Sequence, residues 1–330
     1  MSRLPNLPLR FDPICQYRLW GGRRLGEWLD VPLPGDGPVG EAWLLSDRDN
    51  NPSRVSEGPF KGQTLAQLIA CSPRSVLGRL APRFERFPLL LKYLDVSAML
   101  SVQVHPSDAH LALLPLGETG KTEGWVVLEA QPDSRIYAGL KADVTPAQLR
   151  TLSQANVDAA LPSFAPLPGQ SILVEAGDVH SLGNGVVVLE VQQNSDVTFR
   201  LYDWDHIDPK TGKTRSLQIE SALACVDLTQ GIITPVPPLV EAPGPLRRER
   251  LIDCKYFRLW RISGEAPFKI DPQDSPVVLV CVAGSGNVEH AGVDVPMHKG
   301  AVLLLPAATG VCQFRPDGET TLLKIVVPPG

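Results

Sequence analysis

Proline and glycine interrupt this chain at short intervals along its whole length. The 330 residues include 32 Pro and 28 Gly, which separate apolar runs that are too short for long helices. Such spacing is typical of many short strands joined by turns. The sequence therefore predicts a mainly β protein. The length exceeds that at which one hydrophobic core usually stops growing, so we expect one large or two smaller domains.

A proline-rich segment, PVPPLVEAPGPL at 235–246, divides the chain into two parts. Its prolines exclude a regular helix and a central strand, because each lacks the backbone N–H that these structures use. We interpret the segment as an inter-domain linker, with an N-terminal domain over 1–235 and a C-terminal domain over 236–330. The short apolar runs after it predict a small all-β barrel or sandwich.

Two stretches of the N-terminal domain carry helical patterns and are expected as insertions between strands. Residues 64–80 have apolar side chains on one face and Thr64 in the N-cap position, although Pro73 argues against one unbroken helix. Residues 145–161 begin with Thr145 in the N-cap position ahead of a proline, which is a common helix start.

Charge and cysteine content exclude several classes of partner. The formal net charge is −5 and the sequence pI is about 5.7, which argues against nucleic acids and anionic membranes as partners. No apolar run approaches the roughly 20 residues that span a bilayer, and the N-terminus lacks the apolar region of a secretory signal. The six cysteines are scattered without a C-x-x-C pair, so we expect reduced thiols and a cytoplasmic protein.

Four residues form a candidate metal site. Gln103 and His105 are two apart on a predicted strand and face the same side, Glu123 opens the next strand, and His180 follows a turn containing Gly177. Two imidazoles, a carboxylate and an amide oxygen suit Zn²⁺, and without cysteine they also suit iron or manganese. The alternative is that each histidine is a hydrogen-bonded core or surface residue.

Three charged residues suit a pocket for a phosphorylated sugar. Lys121 precedes Glu123 by two residues, so on an extended chain both face the same side. Glu190 and Arg200 share parity in the run VVVLEVQQNSDVTFR, provided that it does not turn near Asn194. The alternative is a polar wall on which these charges pair with one another.

Several blocks of the sequence resemble, in order and spacing, the signature blocks of class I mannose-6-phosphate isomerases (phosphomannose isomerases), and most closely the short bacterial form. The principal blocks are SVQVHP (101–106), GKTE (120–123), AGDVHSLG (176–183) and LEVQQNSDVTFRLYDWD (189–205). Further elements similar to the family are WGG (20–22), GEAW (40–43) and PLLLKYLD (88–95). Several ordered blocks together are far more specific than any one of them.

The resemblance implies a fold of two cupin (jelly-roll β-barrel) domains with inserted helices, and one Zn²⁺ per chain in the N-terminal domain. The zinc ligands that it implies are Gln103, His105, Glu123 and His180. The C-terminal cupin of the family carries no metal.

The resemblance also implies roles for residues around the metal. The catalytic positions are Arg200, Lys121 and Glu190, and the substrate-binding positions are Ser101, His206 and Trp20. Ser101 and His206 stand at positions implicated in phosphate binding. The short bacterial form usually has a basic residue in place of His206, and histidine carries only a weak positive charge near neutral pH.

The implied activity is zinc-dependent interconversion of mannose 6-phosphate and fructose 6-phosphate through a cis-enediol. A guanidinium at Arg200 stabilises the enediolate, while Lys121 and Glu190 remain alternative bases. Two other functions stay open, because cupins host many activities: a different metal-dependent cupin enzyme, and a non-catalytic sugar-binding or regulatory cupin. The sequence leaves the oligomeric state undecided.

Overall fold

The computed structural model describes residues 5–110 and 112–329, and the protein is mainly β, as predicted. The strands, in chain order, are β1 (Ile14–Gly22), β2 (Val39–Leu45), β3 (Asp47–Arg48), β4 (Asn51–Pro52), β5 (Leu89–Val96), β6 (Val102–Val104), β7 (Glu123–Glu129), β8 (Arg135–Ala138), β9 (Ser163–Phe164), β10 (Ser171–Val174), β11 (His180–Gly183), β12 (Val186–Gln193), β13 (Phe199–Tyr202), β14 (Ile207–Asp208), β15 (Lys213–Thr214), β16 (Leu239–Ala242), β17 (Leu246–Asp253), β18 (Arg258–Gly264), β19 (Phe268–Ile270), β20 (Val277–Ala283), β21 (Ser285–His290), β22 (Val293–His298), β23 (Val302–Leu305), β24 (Cys312–Pro316) and β25 (Thr320–Val326).

Helices are short and lie between strands. They are α1 (Leu25–Leu29), α2 (Leu65–Cys71), α3 (Pro73–Leu77), α4 (Pro146–Arg150), α5 (Val157–Ala160) and α6 (Ile219–Cys225), with 3₁₀ turns at Gly58–Phe60, Gly78–Leu80 and Ala307–Thr309. In the two described ranges, no helix is long and apolar enough to cross a membrane.

Both predicted helical stretches, 64–80 and 145–161, begin with a helix at the predicted N-cap residue. Thr64 caps α2 through a reciprocal pair of hydrogen bonds with Gln67, and Pro73 begins a separate helix. The prediction of helix over 145–161 is wrong in its middle, where residues 151–156 separate α4 from α5. There the Asn156 side chain donates to Thr151 O and accepts from Ser153 N, so it replaces helical backbone bonds.

The N-terminal part of the chain forms two antiparallel sheets packed face to face. Sheet A has the order β1-β2-β5-β12-β7-β10, and sheet B has the order β13-β6-β11-β8-β9. Trp125 and Val188 of sheet A belong to one buried cluster with Ile136 and Leu182 of sheet B. Strands β6 and β11 of sheet B therefore face β7 and β12 of sheet A across the interior, and these strands carry the predicted site.

The C-terminal part forms a second pair of antiparallel sheets. Sheet C has the order β16-β17-β18-β25-β20-β23, and sheet D has the order β19-β24-β21-β22. The predicted linker contains β16, which is the edge strand of sheet C. An edge position agrees with the proline content, because an outer strand has one side free of ladder hydrogen bonds. The domain boundary at 235/236 stays a prediction.

Sheets A and C pack against each other through a shared apolar core. Leu91 and Tyr93 of β5 lie in the same buried cluster as Leu259 of β18 and Ile325 of β25. The two sheets approach each other closely at Gly124 of β7, because a Cβ atom there would lie 2.6 Å from Ile252 Cδ1 and 3.0 Å from Phe257 Cε2. Two large sheets are therefore joined by interdigitated side chains.

We expect Phe257→Ala to destabilise the whole protein and not the C-terminal part alone. Phe257 is fully buried in the core that sheets A and C share, so its truncation leaves a cavity between them. The expected loss is about 3–5 kcal/mol. Urea unfolding, followed by tryptophan fluorescence and circular dichroism, should give one earlier transition.

Leu239→Ala is the matched control, since Leu239 is 52% exposed on the edge strand β16. Its unfolding free energy should stay within about 0.5 kcal/mol of the parent protein. A Phe257→Ala protein that unfolds in two separate transitions, with the first confined to the C-terminal sheets, would contradict the shared core.

Candidate metal centre and active site

The four predicted metal ligands converge in the space between sheets A and B. Gln103 lies in β6 opposite His180 of β11, and His105 immediately follows β6. Glu123 opens β7 on the facing sheet. Gly177, in the turn before His180, has φ +98° and donates its backbone N–H to His105 O at 2.9 Å. This turn needs glycine and joins the two histidine segments.

The side-chain atoms of three of these residues form a tight cluster. The donor atoms of His105, Glu123 and His180 all lie within 4.8 Å of one another, and all three residues are buried. His105 Nε2 is 3.5 Å from Glu123 Oε2, and His180 Nε2 is 3.4 Å from Glu123 Oε1. Two ring nitrogens and two carboxylate oxygens thus point at one small volume.

Backbone carbonyls fix the orientation of both imidazoles. His105 Nδ1 is 2.8 Å from Val197 O, and His180 Nδ1 is 2.9 Å from Asp178 O. A carbonyl only accepts, so each Nδ1 carries the hydrogen and each Nε2 presents its lone pair to Glu123. Burial and the neighbouring Lys121 ammonium lower the pKa of His105 to about 3, and burial lowers that of His180. Both rings are therefore neutral at physiological pH and able to bind a cation.

The Glu123 carboxylate completes a donor set that suits a metal ion. Burial alone would raise its pKa, but the Lys121 ammonium holds that pKa well below its usual range. Lys121 Nζ pairs with Glu123 Oε2 at 2.7 Å, whereas Glu123 Oε1 accepts no hydrogen bond from any described residue. Buried carboxylate oxygens without donors are costly unless a cation satisfies them. The residues present therefore fit a bound metal.

Gln103 can supply the fourth ligand from its amide group. Its Nε2 is 3.2 Å from His180 Nε2, and its Oε1 accepts from Ser101 Oγ at 2.9 Å. The two ends of an amide have nearly the same shape, and a serine hydroxyl both donates and accepts. Gln103 can therefore turn its oxygen toward the cluster and keep its bond to Ser101. Ser101 lies behind Gln103 and does not line the cavity described next.

A cavity of about 380 Å³ opens beside this cluster, and its wall is mostly charged. Its cationic lining residues are Arg18, Lys92, Lys121, Arg200 and Arg215. Its acidic lining residues are Glu41, Glu190, Asp196 and Asp208. Of the predicted site residues, Gln103, Trp20, Lys121, Glu190 and Arg200 line it, whereas His206 does not.

Lys92 and Glu190 form a buried pair that the sequence analysis did not identify. Lys92 Nζ is 3.2 Å from Glu190 Oε1 and 3.7 Å from Asp196 Oδ1. Burial alone would lower the pKa of Lys92, but Glu190 and Glu41 raise it above its ordinary value. Burial and the Glu123 charge raise the pKa of Glu190. A lysine inside the apolar run PLLLKYLD was the available signal, since an unpaired lysine is rarely fully buried.

Arg18 is a second lining residue that the sequence analysis missed. Its Nε and Nη2 donate to the two oxygens of Glu41, both at 3.0 Å. Trp43 Nε1 also donates to Glu41, at 2.7 Å. Burial alone would raise the pKa of Glu41, but Lys92 and Arg18 lower it to about 2. The carboxylate therefore stays ionised and holds Arg18 at the cavity wall.

Glu190 and Arg200 reach the cavity from opposite sheets, which the parity argument did not predict. Strand β12 of sheet A ends at Gln193, and the chain crosses to sheet B before β13 begins. Within the described residues the Arg200 guanidinium makes no ion pair, and its buried Nε has no hydrogen-bond partner. Burial and the nearby Arg215 lower its pKa, but a guanidinium remains charged at any working pH. The predicted alternative, in which Arg200 pairs with Glu190 or Asp196, is not seen.

Comparisons with known proteins show which family this chain resembles. Residues 9–153 match the catalytic-domain model of the type I phosphomannose isomerases. The mannose-6-phosphate isomerase ManA of Bacillus subtilis is 35% identical over 316 residues, which cover 94% of this chain and 96% of that protein. The mannose-6-phosphate isomerase of Streptococcus mutans is 33% identical over 315 residues, with 94% and 96% coverage.

A solved structure supports the predicted architecture. The crystal structure of the mannose 6-phosphate isomerase from Bacillus subtilis superposes with a TM-score of 0.87 at 28% identity, and covers 96% of this chain and 99% of that one. A second solved structure, of a protein from Archaeoglobus fulgidus with 19% identity and a TM-score of 0.79, shares the fold. The predicted mainly β, cupin-type fold is confirmed.

Proposed function

The chain belongs to the mannose-6-phosphate isomerase family of aldose–ketose isomerases, and we propose that it interconverts mannose 6-phosphate and fructose 6-phosphate through a cis-enediol with the help of one zinc ion. The observation that carries this proposal is the buried cluster of His105, Glu123 and His180 beside a cavity lined by Lys121 and Arg200. A metal-dependent oxygenase would not require those two cations. A non-catalytic sugar-binding protein would not require a buried Glu123 Oε1 without a donor beside two neutral imidazoles.

The zinc ligands in this proposal are His105, Glu123, His180 and the amide oxygen of Gln103. Zinc bound there would act as a Lewis acid that polarises or orients oxygens at C1 and C2 of the sugar. The carbonyl partners of both Nδ1 atoms fix the ligand tautomers, as is common around bound metals.

Proton transfer between C1 and C2 needs a base beside the reacting carbons. We assign this role to Glu190, whose raised pKa makes it a better proton acceptor than an ordinary carboxylate. Trp125 Nε1 donates to Glu190 Oε2 at 3.1 Å and Lys92 lies 3.2 Å from Oε1, so the carboxylate is held in place. Lys121 lies 2.7 Å from the Glu123 carboxylate and forms an ion pair with it. We therefore assign Lys121 as a donor to a substrate oxygen.

The test of the function is metal analysis of the purified protein combined with an isomerase assay on mannose 6-phosphate. We expect one zinc per chain and formation of fructose 6-phosphate that stops when a chelator removes the metal. Stoichiometric iron or manganese would change the metal assignment. A metal-loaded protein that does not isomerise mannose 6-phosphate would refute the function.

Arg200→Ala should keep its zinc and its melting temperature but lose turnover. The unpaired guanidinium lies in β13, opposite Gln103 of β6, and is suited to stabilise negative charge that develops on a substrate oxygen. We expect kcat to fall by about 10²–10³, the scale for removing one preorganised donor to an oxyanion. The KM should change less, because this interaction forms mainly in the transition state.

Arg200→Lys should restore little, since an ammonium cannot reproduce the planar donor geometry. Arg135→Ala is the control, because Arg135 is an exposed arginine in β8 of the same sheet. An Arg200→Ala protein that melts early but turns over normally when folded would show that Arg200 is structural.

A further inference from the structure

His206 is poorly placed to bind the phosphate that the substrate carries. It does not line the cavity, and its Nδ1 faces the Asp203 carboxylate at 3.9 Å. Burial, and then the positive charge of Arg215, lower its pKa despite Asp203, so its ring is mostly neutral near pH 7. A neutral imidazole outside the cavity leaves the phosphate without its expected partner.

Arg215 lines the same cavity as Arg200, and burial together with the Arg215 charge lowers the pKa of Arg200. Adjacent strands of sheet B place His180, Gln103 and Arg200 in one row, on β11, β6 and the edge strand β13. The segment that follows Arg215 runs beyond that edge, because Gln218 N donates to Arg200 O at 2.9 Å. In an open-chain hexose 6-phosphate, the phosphate is at the opposite end from C1 and C2. From this register we infer that Arg215 lies on the side of the cavity away from the cluster, which is the side that the phosphate occupies when C1 and C2 are at the cluster.

The Arg215 guanidinium is held in place but keeps donors free. Its Nε donates to Asp203 Oδ2 at 2.8 Å and its Nη2 to Asp203 Oδ1, and Asp203 is only 5% exposed. Its Nη1 makes no hydrogen bond to any residue that the structure describes. Arg18, the other paired arginine of the cavity, uses Nε and Nη2 on Glu41 and Nη1 on Tyr17 O. Arg215 thus has more N–H donors available for an anion than Arg18 has.

One acidic residue also lines this end of the cavity. Asp208 Oδ1 accepts hydrogen bonds from Tyr17 Oη at 2.8 Å and from the Lys210 backbone N–H at 2.9 Å. These donors offset part of its charge. Arg200, which makes no ion pair with a described carboxylate, contributes a further positive charge near Arg215.

We propose that Arg215, held by Asp203, binds the phosphate group of the substrate and sets the preference for phosphorylated over unphosphorylated hexoses. The proposal rests on the proposed function. Arginine suits this role, because its planar fork of donors matches phosphate oxygens. Arg215 acts on binding, whereas Arg200 acts on charge at the reacting carbons.

The test compares Arg215→Met and Asp203→Asn with the parent protein on mannose 6-phosphate and on unphosphorylated mannose. For Arg215→Met we expect kcat/KM on mannose 6-phosphate to fall about 10–100-fold, mainly through KM, with unchanged zinc content and unchanged turnover of mannose. Inhibition by inorganic phosphate should weaken by a similar factor, and this readout needs no turnover of mannose. Asp203→Asn should show a smaller change in the same direction.

Lys213→Met is the matched control, because it removes a positive charge from an exposed position two residues from Arg215. Its kinetics should match those of the parent protein. An unchanged KM and unchanged phosphate inhibition in Arg215→Met would overturn this proposal and leave the isomerase activity intact. Equal losses on both sugars would also overturn it. Failure of the parent protein to isomerise mannose 6-phosphate would instead overturn the proposed function.

Discussion

His105→Ala and His180→Ala should each lose bound zinc and isomerase activity together. Each variant removes one of the ring nitrogens that face Glu123, and the remaining donors form an incomplete shell. A bound metal contributes several kcal/mol to charge stabilisation, so we expect the rate to fall by at least about 10³-fold. Zinc content by atomic emission and steady-state kinetics, measured on the same preparations, test this.

The fold should survive either substitution, because a core of this size does not depend on one ion as a zinc finger does. His290→Ala is the control, since His290 lies in β21 of the C-terminal sheets, away from the cluster. It should keep its zinc and its turnover. If His105→Ala or His180→Ala retained stoichiometric zinc and full activity, the ligand assignment would be wrong.

Glu190→Gln should keep the metal and lose most of its turnover. The amide has nearly the shape of the carboxylate, but it cannot accept the proton from carbon. General base catalysis typically contributes 10²–10⁴-fold, so we expect kcat to fall by about that factor. The amide can still accept from Trp125 Nε1, but Lys92 loses its nearest buried carboxylate, so the melting temperature should fall while the folded protein keeps its metal.

Exchange of the substrate's C2 hydrogen with deuterated water separates Glu190 from Lys121. If Glu190 is the base, Glu190→Gln abolishes exchange, whereas Lys121→Met slows turnover but leaves exchange detectable. The reverse pattern would assign the base to Lys121. Zinc must be measured in both variants, because Lys121 Nζ lies 3.2 Å from His105 Nε2.

Short local patterns and the order of several family blocks predicted that His105, Glu123 and His180 come together, and the structure shows them in a cluster that could hold a metal ion. Gln103 and His105 are two apart on one side of the chain, and the glycine turn before His180 has the expected shape. The charged wall was harder to predict. Arg18, Glu41 and Lys92 come from β1, β2 and β5, and only sheet pairing brings them together.

Two further differences also have physical causes. The parity argument failed for Glu190 and Arg200 because the chain changes sheets between them, and a parity count has no meaning across such a crossing. His206 occupies the position that the family resemblance implicates in phosphate binding, but the side chain of this segment that lines the cavity is that of Arg215. The sequence pattern identified the segment that contains both residues. The partial burial of His206 and the hydrogen bonds between Arg215 and Asp203 determine that Arg215 is the cation that faces the cavity.

The apolar contact between sheets A and C has a consequence for synthesis on the ribosome. All strands of sheet A have been made once Gln193 is reached, but the strands of sheet C that cover its outer face follow much later. At roughly 5–20 residues per second, that face stays uncovered for on the order of ten seconds. The nascent chain therefore passes through an aggregation-prone stage, in which a chaperone has an apolar surface to bind. The stage ends when the late strands arrive, and Leu304 of β23 then pairs through its backbone with Leu9, which precedes β1.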